Sequence, residues 1–92
     1  MLAVHLSGEE EAYLDAACAY LKQFVCHVTK EKGVWVLGPA PEPIAKLQDQ
    51  YRRVLYLKAE EEKKLVEIKN QMERYIEMNP GYQRLLIQFE IC

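Results

Sequence analysis

The sequence predicts an α+β fold in the order β-α-β-β-α-β. Three observations carry it: two long stretches place apolar residues at steps of three and four, four short stretches alternate apolar with polar side chains, and Gly, Pro or Asn punctuate the joins. At 92 residues, with 50% apolar and 28% charged side chains, the chain suits one small globular domain spanning residues 1–92. A chain this short buries only roughly 60–65% of its unfolded surface, so all of its elements are needed to close one core.

Leu2, Val4 and Leu6 alternate with Ala3 and His5, which predicts a first strand with one buried face. Ser7-Gly8-Glu9-Glu10 then has the capping-box pattern, in which the serine hydroxyl and the glutamate three residues on each satisfy an exposed backbone N–H. The helix that follows lines up Leu14, Ala17, Cys18, Leu21, Phe24, Val25 and Val28 in one stripe. Glu9, Glu10 and Glu11 lie at the positive end of its dipole, which assigns them to helix stabilisation instead of acid chemistry. Lys30-Glu31-Lys32-Gly33 predicts a turn, and the β-branched and aromatic run Val34-Trp35-Val36-Leu37 a second strand, ended by Gly38-Pro39. Prolines cannot donate ladder hydrogen bonds, so Ala40-Pro41-Glu42-Pro43 is expected to run as an extended surface elbow.

Residues 52–58 read as a third strand, with Arg53, Leu55 and Leu57 on one face and Arg52, Val54, Tyr56 and Lys58 on the other. A second helix follows from about Glu60 to Met78, with Leu65, Ile68, Met72, Tyr75 and Ile76 inward and a second acidic triplet, residues 60–62, at its start. Asn79-Pro80-Gly81 stops it. The last strand, Leu85 to Ile91, alternates Leu85, Ile87, Phe89 and Ile91 against Leu86, Gln88 and Glu90. With right-handed crossovers this order gives the ferredoxin-like sandwich: a four-stranded, mainly antiparallel sheet with two helices on one face. The open face would display residues such as His5, Arg52, Tyr56, Lys58, Gln88 and Glu90.

No apolar run approaches the roughly 20 residues of a membrane helix, and the N-terminus has no basic region followed by an apolar stretch and cleavage site. A cytoplasmic location without a membrane partner is expected. Cys18, Cys26 and Cys92 are odd in number and lack C-x-x-C spacing, which argues against a disulfide framework and a zinc knuckle. Cys18 falls on the apolar stripe of the first helix. Cys26 and His27 are adjacent on a helix and so point about 100° apart, and His27 suits a cation at a helix C-terminus. Met72 and Met78 read as core filler, His5 as a satisfied strand residue, and Trp35 as part of the core or of an interdomain contact.

Net charge is −2, yet residues 42–58 carry Lys46, Arg52, Arg53 and Lys58 against Glu42 and Asp49. That basic segment with interleaved aromatics makes Lys46, Tyr51, Arg52, Arg53, Tyr56 and Lys58 the candidate nucleic-acid contacts. Arginines make bidentate phosphate contacts, lysines supply point charges, and Tyr51 or Tyr56 can stack on an unpaired base. The alternative is that the tyrosines pack on the sheet and the cations solvate its edge.

Several of these pieces combine into a pattern. Leu-x-Val-x-Leu-Ser-Gly-Glu-Glu-Glu, a helix, Gly-Val-Trp-Val-Leu-Gly-Pro-Ala-Pro and Ile-Ala-Lys-Leu-x-x-x-Tyr-Arg-Arg-x-Leu-Tyr-Leu-Lys together resemble the C-terminal domain of the primosomal replication-restart helicase, PriA or primosomal protein N′. The resemblance runs from about Leu2 to Ile91. The chain departs from the family at Arg53, where an aromatic is usual, at Glu42, where Ala is usual, and after Glu90, where no proline follows.

The resemblance implies a domain of a longer, superfamily 2 DNA helicase. Its partners would be branched or single-stranded DNA, the helicase core of the same polypeptide, and the acidic C-terminal tail of single-stranded-DNA-binding protein. The family receives that tail on a basic residue and a Gln early in the second helix; the corresponding positions fall near Glu62 and Val66 and do not match, so no residue is carried over. ATP, Mg²⁺ and Zn²⁺ are implied for the parent helicase. This segment has no G-x-x-x-x-G-K-[ST] phosphate loop, acidic metal box or zinc-binding cysteine array, so it is expected to bind without hydrolysing anything and to hold no cofactor itself.

Three rival readings share the predicted fold. An ACT-like regulatory module would need a glycine-rich first loop, which Ser7-Gly8 scarcely supplies. An acylphosphatase-like enzyme would need an Arg in the first loop, and residues 5–11 contain none. A purely architectural domain bracing the helicase core would bind protein only.

Overall fold

Alternation of side chains along the strands settles which residues meet the helices. The computed structural model describes residues 1–30, 33–47 and 50–91, with side chains at all of these except 41–47. The elements are β1 (Leu2–Gly8), α1 (Glu11–Val28), β2 (Val34–Leu47), β3 (Gln50–Ala59), α2 (Glu62–Met78), a 3-10 turn (Pro80–Arg84) and β4 (Leu86–Ile91). They build one four-stranded sheet in the order β2-β3-β1-β4, and all three neighbouring pairs are antiparallel. This is the ferredoxin-like arrangement expected from the sequence.

On one face of the two central strands, Leu2, Val4 and Leu6 stand opposite Leu57, Leu55 and Arg53. The leucines and valine of that set form a single buried cluster with Leu14, Cys18, Leu21 and Val25 of α1 and Leu65, Ile68 and Met72 of α2. Each fully buried Leu contributes about 1.5–3 kcal/mol of transfer free energy, which makes this layer the main source of stability. Val34 and Val36 of β2 and Ile87 and Phe89 of β4 extend it to both edges. Tyr75 stacks on Phe24 with ring centroids 4.2 Å apart, tying α2 to α1.

Several boundaries differ from the sequence expectation. The capping box does not form: Ser7 is buried in β1, paired with Arg52 on one side and Leu86 on the other. Because β1 is a central strand, it is paired on both edges through Ser7 and with β3 as far as Gly8, and α1 starts at Glu11 with no side-chain cap. α1 ends where the buried Thr29 hydroxyl donates to the Val25 carbonyl at 2.7 Å. Met78 is not core filler but 74% exposed, because the inward stripe of α2 ends with Ile76.

The expected elbow is a continuation of β2. That strand runs through the prolines to Leu47, paired to β3 with register shifts between Leu37 and Ala40 and between Pro41 and Lys46. β2 lies at the sheet edge, where a residue without an N–H can be tolerated, and the irregularities absorb the prolines. Gly38 is required at the first shift. Its φ is +99°, and a Cβ there would lie 2.9 Å from the Val54 carbonyl oxygen.

Two outcomes are expected. Gly38→Ala lowers stability by about 1–3 kcal/mol, read as a fall in Tm, and by more than Gly33→Ala, whose added Cβ meets open space. Burial, with Asp15 close by and against a smaller opposing pull from Arg53, pushes the Cys18 thiol up from 9.0 to about 11. A raised thiol pKa contributes stability that is fully present below about pH 9 and is lost as pH climbs toward 11. Urea unfolding at pH 8 and pH 10.5 therefore shows a larger decline in the native chain than in Cys18→Ala.

Candidate nucleic-acid interface

β3 carries cations on both of its faces, and the two faces use them differently. On the helix side, the Arg53 guanidinium reaches α1: Nη2 donates to Glu11 Oε2 at 2.9 Å and Nε to Asp15 Oδ1 at 3.1 Å. Nη1 donates to the Arg52 carbonyl at 2.9 Å. The side chain is 11% exposed, its partners about half. Burial alone would disfavour its charge, but the hydrogen bonds and attraction of the two carboxylates outweigh that and raise its pKa above the ordinary value.

Arg53 is therefore committed to the fold, and the structure takes it off the open face. Tyr51 lies on the same side and packs, half-buried, against the core cluster. Tyr51 and Arg52, adjacent in the family triplet, consequently face opposite ways. Lys46 pairs through its backbone with Tyr51, and its side chain lies outside the described residues.

The opposite face has no helix packed on it among the described residues. Strand register arranges it in rows: Trp35 opposite Lys58; Leu37, Tyr56, Ala3 and Glu90 across all four strands; Ala40, Val54, His5 and Gln88 likewise across four; and Arg52, Ser7 and Leu86 at the far end. The middle is made of small residues, Ala3, Val54 and Ser7, each buried by its neighbours. The rim is large and open: Trp35, Leu37 and Leu86 are each more than half exposed.

Charge on this face is divided by strand. Lys58 is exposed, Arg52 and Tyr56 are half-buried, and all three belong to β3. Glu90 sits two strands away on β4, its carboxylate 3.2 Å from His5 Nε2. All the open-face residues named from the sequence are thus brought together.

Of the two places expected for Trp35, the core or an interdomain contact, its exposure removes the core. The signal was available in the period of two: Val34 and Val36 turn inward beside Ala59 and Leu57, so Trp35 and Leu37 must turn outward. Among the described residues, no group of three His, Cys, Asp or Glu could hold a metal ion, and no helix is long and apolar enough to cross a membrane.

A hollow of about 390 Å³ lies between α1 and the 3-10 turn and is lined by residues that include Tyr13, Tyr20, Tyr75 and Tyr82. Nothing in the sequence reading pointed to it. The Tyr13 hydroxyl donates to the Gly81 carbonyl and that of Tyr82 to the Ala17 carbonyl, so two of its four phenols serve the packing of that junction.

Residues 1–91 match the family model described as primosomal protein N C-terminal domain. No curated protein matches the chain.

Arg53→Ala is expected to cost about 1–2 kcal/mol, less than a fully buried ion pair because Glu11 and Asp15 are half in water. Arg53→Lys recovers only part of this, since an ammonium cannot span both carboxylates as the guanidinium fork does. Denaturant unfolding of the two variants checks both.

Proposed function

The chain belongs to the family of primosomal protein N C-terminal domains, and on that premise we propose that it holds branched or single-stranded DNA for a replication-restart helicase in the cytoplasm. The observation that carries the reading is Arg52, Tyr56 and Lys58 on one uncovered face of a central strand, with the one described carboxylate of that face removed to β4. Guanidinium and ammonium groups neutralise phosphates, and an aromatic ring beside them offers a surface to an unpaired base. Open sheet faces bearing aromatics and cations bind nucleic acid in this way.

Within the same proposal, the helices face the other way and leave their outer surfaces for protein: the helicase core of the same polypeptide and the acidic tail of single-stranded-DNA-binding protein. Hydrolysis and unwinding, with ATP, Mg²⁺ and Zn²⁺, belong on this reading to other segments of the parent helicase. What this domain adds is grip, an electrostatic contact that slows release of the fork.

Fluorescence anisotropy of a labelled fork DNA, titrated with the chain at several salt concentrations, tests it. Affinity should fall as salt rises, and Arg52→Ala and Lys58→Ala should each flatten the slope of log K against log salt by about 0.7–0.9. Arg53→Ala, measured where it is fully folded, should leave the slope unchanged. Absence of binding at low salt in the folded chain would favour the architectural role, with the helicase core as sole partner.

A further inference from the structure

Trp35 is the one tryptophan of the chain, and the residue stands 54% exposed. Leu37, two residues along the same edge strand, is equally exposed, and its cross-strand partner is Tyr56. A scattered surface Leu needs no explanation, but an indole, an isobutyl group and a phenol gathered at one corner form an apolar patch of the kind that marks a contact surface.

The charge around the patch says what would cover it. Trp35 stands directly opposite Lys58, which forms no ion pair among the described residues. Arg52 lies further along β3, and the one described carboxylate of the face is two strands away beside His5. A partner for this corner must be anionic and must present flat apolar faces, a combination that an unpaired nucleotide supplies. Bases in a duplex show only their edges in the grooves, so a ring finds the flat face of a base only on an unpaired nucleotide.

We propose that Trp35 and Lys58 form a stacking site for single-stranded DNA. An unpaired base lies on the indole and its phosphate is met by Lys58. Directly opposed residues of an antiparallel pair have Cβ atoms about 4.5–5.5 Å apart, so ring and ammonium serve one nucleotide. Tyr56 is the diagonal neighbour of Trp35, at about 7–8 Å, and offers a second ring to the next base. This rests on the DNA-binding reading above and sharpens it: the part of a fork that this domain holds is its unpaired strand.

The single tryptophan makes the test direct. Unlabelled oligothymidylate is titrated into the chain while Trp35 emission is followed, alongside anisotropy of the same oligonucleotide carrying a label. Emission should be quenched in step with the anisotropy rise. Trp35→Ala should weaken binding roughly 5- to 150-fold without changing the salt slope, Trp35→Phe should weaken it less, and Lys58→Ala should flatten the slope. Circular dichroism confirms that the variants fold.

A salt-dependent anisotropy rise with unmoved Trp35 emission, and with Trp35→Ala binding as the native chain does, would overturn the stacking site and leave the DNA-binding reading standing. No anisotropy rise with fork or single strand at low salt would overturn both. Emission that responds to the parent helicase core but not to the oligonucleotide would overturn the stacking site and assign Trp35 to protein contact.

Discussion

The grip of Glu11 and Asp15 on Arg53 is the contact from which the rest of the molecule takes its sense. A guanidinium among leucines under a helix is costly unless its charge and its donors are met. Glu11 and Asp15 meet them from positions four apart on α1, one turn above the strand. With Arg53 held there beside Leu55 and Leu57, alternation along β3 leaves Arg52, Val54, Tyr56 and Lys58 no choice but the open face. One ion-pair triad thus docks the first helix and also fixes which cations of β3 stand on the open face.

The open face is shaped by what lies at its middle. Ala3, Val54 and Ser7 are small enough to be closed over by their neighbours, which leaves a shallow platform with large side chains along β2 and at the end of β4. Gly38 keeps the platform's edge in place, since its backbone approaches Val54 more closely than any side-chain-bearing residue would allow. The prolines that follow remove donors from the outer edge of the sheet, a recognised way to discourage pairing with another chain. A ligand on the open face would therefore meet side chains, and would not add a strand to β2 along the proline segment.

Much of this was legible before the structure. Leucines and valines at periods of 3.6 and 2 specified both helices, all four strands and nearly every core position, because burial imposes those periods directly. The face assignment along residues 52–58 was also correct, and it already implied that Arg53 pointed away from Arg52. What the sequence did not disclose was Arg53's partners, since contact between residues 38 and 42 positions apart follows from tertiary docking and leaves no local pattern. Ser7 misled for a related reason: a capping box and a central strand both suit the same serine, and ladder bonds from two neighbours decided between them. Prolines 39, 41 and 43 announced a break in the strand, and only its edge position, a property of the whole sheet, shows why the strand survives them.

The most direct measurement is side-chain NMR of the isotopically labelled chain during titration with oligothymidylate, following the Trp35 indole N–H and the Arg52 and Arg53 Nε–H signals. On the proposal that the outward face of β3 and its β2 neighbour hold the strand, the Trp35 and Arg52 signals should move together with saturation while Arg53 stays fixed beneath α1. Movement of Arg53, or of residues on the outer surfaces of α1 and α2 with Trp35 and Arg52 unmoved, would contradict it.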